Sequence, residues 1–152
     1  MAASNSRGQI ISTYALGSCI GVIAFDPTNF IGGMLHFMLP DSSLSAEKAR
    51  GKPCMFCDTG CKYFFAELES LGAKLRNTKL MIAGGASVIQ NSDFFKIGVR
   101  NQEAIRKYLA KADLTIQVEN VGGLNNRTVH LSLKDGSVKL KMPNQTKNYS
   151  LL

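Results

Sequence analysis

Arg127-Thr128-Val129-His130-Leu131-Ser132-Leu133-Lys134-Asp135-Gly136-Ser137-Val138-Lys139-Leu140-Lys141-Met142 decides the fold class of this chain. Val129, Leu131 and Leu133 alternate with polar residues, and Val138, Leu140 and Met142 do so again after Asp135-Gly136, a dipeptide that tight hairpin turns favour. Successive side chains on a strand point to opposite faces, so each run buries one face and wets the other. His130 falls on the wet phase. A hairpin here breaks the strict strand–helix alternation of a doubly wound parallel sheet.

Upstream, Thr115 to Glu119 reads as a strand, and Asn101 reads as the N-cap of a helix with Ala104, Ile105, Tyr108, Leu109 and Ala112 on its apolar face. Leu80-Met81-Ile82-Ala83 is a buried strand running into Gly84-Gly85-Ala86, a turn for close backbone approach. Cys57, Cys61, Phe64, Leu68 and Leu71 recur every three or four residues as a helical stripe, with Pro53 suited to its first turn and Gly72 to its end. The polar residues from Pro40 to Lys52 form a surface loop. Strands occupy 9 to 16, 20 to 25 and 30 to 37, the last carrying His36, with Asp26-Pro27-Thr28-Asn29 as turn chemistry. Strands outnumber helices. The expected fold is an α+β layered sandwich of mixed β-sheets with two main helices. Residues 1–8 are expected to be a flexible N-terminus, 9–142 a single domain and 143–152 a fraying tail.

At 152 residues, 45% apolar and 19% charged, the chain has the balance of one ordinary globular domain, which sets disorder aside except at the ends. No apolar run has the form of a secretory signal or a membrane span, so the protein is expected to be cytoplasmic with no membrane insertion. Four cysteines in that setting are expected as thiols. The net charge of +7 favours an acidic partner. Nucleic acid is set aside because no aromatic RNA-binding signature or helix-turn-helix accompanies the charge.

A cysteine nucleophile needs a base within hydrogen-bond reach and a third group to hold that base in one tautomer. Cys19 follows Gly17-Ser18 in a tight connection between strands, where backbone N–H groups can face an oxyanion, and His36 lies near the end of a neighbouring strand. Cys54, Cys57 and Cys61 supply only three local metal ligands, and Cys57 and Cys61 share the helical stripe of Phe64 and Leu68, so core packing is expected there rather than metal. Gly84-Gly85-Ala86 fits neither phosphate-binding fingerprint, and no nucleotide is assigned.

Thr13-Tyr14-Ala15-Leu16-Gly17-Ser18-Cys19-Ile20-Gly21-Val22, then Asp26, then Ile31-Gly32-Gly33-Met34-Leu35-His36-Phe37-Met38-Leu39-Pro40 resembles the amino-terminal signature of the CheD family. Asp58-Thr59, Gly84-Gly85-Ala86, Ile97-Gly98-Val99-Arg100-Asn101, Gly122-Gly123 and Arg127 extend the resemblance over about residues 9 to 142. It implies a protein-glutamine deamidase that converts glutamines of methyl-accepting chemotaxis receptors to glutamate. Cys19 is then the nucleophile, His36 the base and Thr13 the residue that orients the imidazole, with no cofactor and a CheC-type phosphatase as partner. Gly98 and Asn101 are expected in the wall of the active site. A non-catalytic module that regulates a CheC-type phosphatase is the alternative. Many relatives carry aspartate where this chain has Asn120, a departure that bears on substrate or partner preference.

Overall fold

The computed structural model describes residues 1–87 and 92–152, with the backbone alone for 92–96. Among these residues the strands are β1 Ala2–Ser4, β2 Ile10–Leu16, β3 Ile20–Asp26, β4 Ile31–Phe37, β5 Lys79–Gly84, β6 Ile116–Val121, β7 Arg127–Ser132, β8 Ser137–Met142 and β9 Gln145–Ser150. The helices are α1 Ala46–Gly51, α2 Cys57–Ser70 and α3 Ser92–Lys111. A five-stranded sheet runs β1-β4-β3-β5-β6 and a four-stranded antiparallel sheet runs β2-β7-β8-β9. The first sheet is mixed, because β5 pairs antiparallel with β3 but parallel with β6 across α3.

Two apolar layers hold these parts together. On one face of the five-stranded sheet, Val22, Ala24, Leu35 and Ile82 pack against Cys61, Phe64 and Leu68 of α2 and Ile105 and Leu109 of α3. On the other face, Ile23, Phe25, Met34 and Met81 meet Ile11, Val129, Leu131 and Leu140 of the four-stranded sheet. β3 is buried throughout because both layers press on it. The α+β sandwich of mixed sheets is therefore observed. Leu131 lies opposite Val138, so the 127–142 hairpin closes over residues 133–136 rather than over a two-residue Asp135-Gly136 turn.

Both ends differ from expectation. The first residues form β1, which pairs with β4 through Ala2 and Met34, and the tail forms β9, which pairs along the whole of β8. β9 is polar because it is an edge strand with one wet face. Only alternate residues turn inward, among them Tyr149, beside the buried Leu151. Pro53 also moves: it opens a short 3₁₀ turn, Pro53–Met55, ahead of α2. The helix stop at Gly72 stands, with Ala73 N–H donating to Leu68 C=O and Gly72 N–H to Glu69 C=O. No helix among the described residues is long and apolar enough to cross a membrane.

Candidate functional site

Cys19 is the residue from which the chain enters β3, the middle strand of the five-stranded sheet. Ile20 lies opposite Phe37 of β4 and opposite Gly84 of β5, so Cys19 is bracketed by the end of β4 and by the Gly84-Gly85 turn. Its turn is held by its carbonyls. Ala86 N–H donates to Gly17 C=O at 2.8 Å, the Asn101 amide to Ser18 C=O at 2.9 Å and Gly85 N–H to Cys19 C=O at 2.8 Å. All three acceptors of Gly17-Ser18-Cys19 are thus drawn toward β5 and α3. Among the described residues no backbone acceptor meets the N–H of Ser18 or Cys19, and the Cys19 N–H faces its own sulfur. N–H groups without a backbone acceptor can serve as donors to an oxyanion.

Two glycines permit the clamp. A Cβ on Gly84 would lie 2.2 Å from the Cys19 carbonyl oxygen, and Gly84 holds φ +111°, which side-chain-bearing residues rarely adopt. A Cβ on Gly98 of α3 would lie 2.8 Å from Gly85 C=O, so the helix reaches the turn only because position 98 is bare.

Asn101 is not the N-cap that the sequence led us to expect. α3 starts at Ser92, and Asn101 sits inside it, fully buried, where a side-chain donor can reach other elements. Its Nδ2 donates to Ser18 C=O and also to Met38 C=O, both at 2.9 Å, tying the Cys19 turn to the end of the strand that carries His36. Two carbonyl acceptors require the NH₂ end to face them, which leaves Oδ1 buried without a donor among the described residues. Such an unmet group costs about 1–3 kcal/mol, a cost that tends to persist where geometry matters for function. Asn101→Leu, which keeps the volume but loses both bonds, is expected to lower kcat for substrate by about 10- to 100-fold with little change in KM, because displacing reacting groups by about 1 Å has that scale of effect. Steady-state kinetics beside a thermal melt checks this.

His36 lies opposite Gly21 in the β3–β4 register, on the same face as Met34, toward the four-stranded sheet. Cys19 is two residues from Gly21 and packs against that same layer, so Cys19 and His36 are diagonal cross-strand neighbours on one face. Thr13 reaches His36 from the other sheet, its Oγ1 2.9 Å from Nδ1. β2 delivers it through an irregularity between Thr13 and Leu16, with Ala15 at φ 54°. The register shift lets the partly buried Thr13 face His36 while Leu16, three residues on, is fully buried, packing over Gly21. The structure thus joins Thr13 to His36 and sets Cys19 and His36 on one face, with no hydrogen bond between those two. Ala2, Ile11, Ser12, Thr13, Met34 and His36 line a hollow of about 200 Å³.

Burial pushes the Cys19 thiol above its ordinary range, with its own N–H opposing. Burial also holds His36 below its ordinary 6.5, and the amino-terminal charge adds to this. At neutral pH the pair is therefore neutral thiol and neutral imidazole, the state in which an imidazole accepts a proton.

The other cysteines stay apart. Cys57 and Cys61 are buried in the α2 layer, where the neighbouring Cys57 sulfur and then burial push the Cys61 thiol far up. Asp58 of the resembling Asp58-Thr59 pair accepts from Ser42 N–H and Oγ, fastening the 40s loop to α2. Asn120 turns inward: its Oδ1 accepts from Arg127 Nε at 2.8 Å and its Nδ2 donates to Tyr149 Oη. The buried Arg127 also donates to Gly122 C=O, and Gly122 N–H donates to Gly84 C=O, so this network braces the turn that holds Cys19. Neither Asn101 as a tie nor Arg127 as a brace was legible from spacing, since both depend on contacts between distant elements.

Comparison with known proteins places the chain in a family. The family described as CheD, chemotactic sensory transduction, matches residues 38–142. The chain is 46% identical over 138 residues to a protein of Syntrophus aciditrophicus named probable chemoreceptor glutamine deamidase CheD 1, covering 91% of this chain and 86% of that one. It is 45% identical over 133 residues to the probable chemoreceptor glutamine deamidase CheD of Solibacter usitatus, covering 88% and 79%. With the chemoreceptor glutamine deamidase CheD of Halalkalibacterium halodurans it shares 37% over 138 residues, covering 89% and 85%. This chain belongs to the CheD family.

Proposed function

We propose that this protein deamidates glutamine side chains of chemoreceptors, with Cys19 as nucleophile, His36 as general base and acid, and Thr13 as the group that orients His36. The Thr13–His36 hydrogen bond, made between sheets on the face that carries Cys19, is the observation that supports this most. For the far ring nitrogen, Nε2, to act as base, Nδ1 must carry the proton and donate it to Thr13 Oγ1.

The Cys19 sulfur attacks the amide carbon as His36 takes the thiol proton. The oxygen gains negative charge against the N–H groups of Ser18 and Cys19. The imidazolium then returns its proton to the departing nitrogen, ammonia leaves and a thioester remains. His36 next takes a proton from water, whose oxygen attacks the thioester carbon, and the proton passes back to sulfur as glutamate is released. Every proton has a carrier in the chain or in water, so this route draws on no cofactor.

Incubating the protein with a purified receptor cytoplasmic fragment is expected to add about 1 Da for each glutamine converted, read by mass spectrometry of receptor peptides. A receptor that is bound but unchanged in mass would favour the non-catalytic module. A CheC-type phosphatase as partner rests on the family resemblance.

Thr13→Ala is expected to lower kcat by about tenfold, since water replaces an orienting hydroxyl in part. An unchanged kcat excludes the hydroxyl from the mechanism. Because the neutral imidazole is the active form and burial lowers its pKa, kcat/KM should fall as pH drops through a value below 6.5. A profile of kcat/KM against pH with its acid limb at or above 6.5 contradicts this.

A further inference from the structure

The outer face of the four-stranded sheet has no part in the chemistry above, yet its composition is specific. Its middle row runs Ser12, His130, Lys139, Asn148 across the four strands. The flanking rows hold Lys141 and otherwise only hydroxyl residues, apart from Ile10 and Tyr14 on β2. No carboxylate occupies this face. Asp135, in the β7–β8 turn, accepts from Ser137 N–H and Oγ instead. Ile10 is 63% exposed and Tyr14 64%, far more than apolar side chains flanking a core usually are. Ile10, His130, Lys139 and Lys141 border a hollow of about 290 Å³.

The face is built ahead of any partner. Ser12 Oγ lies 2.7 Å from His130 Nδ1 and the Tyr14 ring meets the imidazole edge-on at 6.0 Å, so these side chains have little freedom left to lose on binding. It is also next to the site, because Ser12 both holds His130 and lines the hollow shared by Thr13 and His36. Lys139 and Lys141, two apart on one strand, stand roughly 6.5–7 Å from each other. Carboxylates four residues apart on an α-helix stand about 6 Å apart.

We propose that this face docks an acidic α-helix of the protein substrate, two carboxylates one turn apart meeting Lys139 and Lys141 while an apolar residue beside them covers Ile10. This rests on the deamidase reading for the substrate's identity, though not for the docking itself.

The test uses Lys139→Glu/Lys141→Glu, with Lys62→Glu/Lys111→Glu on the helical layer as a control of equal charge. With a receptor cytoplasmic fragment at low salt, the first pair is expected to raise KM about tenfold with kcat within about twofold, and the control to leave KM within about twofold. Alkylation of Cys19 by iodoacetamide at an unchanged rate shows that the site is intact. Affinity of the same pairs built on Cys19→Ala, measured without turnover, separates the two readings. Lysine-dependent binding without any turnover by the wild-type protein upholds the surface and overturns the deamidase. Turnover with equal KM for both pairs, or no binding by Cys19→Ala, overturns the surface.

Discussion

Cys19→Ala is expected to lower kcat/KM for receptor deamidation by at least about 10⁴-fold, and His36→Ala by about 10²- to 10⁴-fold, the range for losing a positioned proton carrier. Neither change should unfold the protein. Cys19 is half-buried, and the turn around it is held by the carbonyls of residues 17 to 19, which a substitution of its side chain leaves in place. His36 is likewise only partly buried, and its loss frees one hydroxyl, Thr13 Oγ1, at the edge of a hollow open to water. Mass spectrometry of receptor peptides over time, with a thermal melt of each variant, checks both parts. Since the two groups act as a unit, the double variant should be no slower than Cys19→Ala alone.

Gly84→Ala should act through the backbone. The new methyl would meet the Cys19 carbonyl oxygen, a backbone atom that accepts from Gly85 N–H, at 2.2 Å, and the residue would keep a φ of +111°. Either the β3–β5 pairing opens at its end or the Cys19 turn moves away, so stability and activity fall together. A loss of about 3–5 kcal/mol is expected, which lowers the melting temperature of a domain of this size by roughly 10 °C. Gly51→Ala is the matched comparison, because a Cβ there meets nothing within 4 Å. It should melt within about 2 °C of the wild type, as surface substitutions mostly do. Equal melting of the two variants contradicts the close approach.

What the sequence made legible was whatever is local and periodic. The 127–142 hairpin, the α2 stripe with its stop at Gly72, and the buried 80–83 strand follow from alternation, helical spacing and a continuous apolar run respectively. The polar β9 defied the same rule, for an edge strand needs few apolar residues and its neighbour β8 supplies its pairing. Asn101 misled for a physical reason. Asparagine before an apolar helical stripe is good N-cap chemistry, but here two distant carbonyls claim the amide and the helix begins nine residues earlier. Of the candidate site, Cys19, His36 and Thr13 were named from their residue types and the family resemblance. The three-donor clamp on Gly17-Ser18-Cys19 depends on β5 and α3 arriving beside β3, which no local pattern encodes.

In the proposed route the receptor amide passes through a covalent bond to Cys19. Acid quenching of wild-type protein mixed with a receptor fragment, followed by digestion and mass spectrometry, reads that bond directly. A thioester joining a receptor peptide to the peptide that carries Cys19, cleaved by hydroxylamine and absent from Cys19→Ala, is the expected result. Deamidation by Cys19→Ala at the wild-type rate, or an adduct on Cys54, Cys57 or Cys61 in its place, contradicts the account.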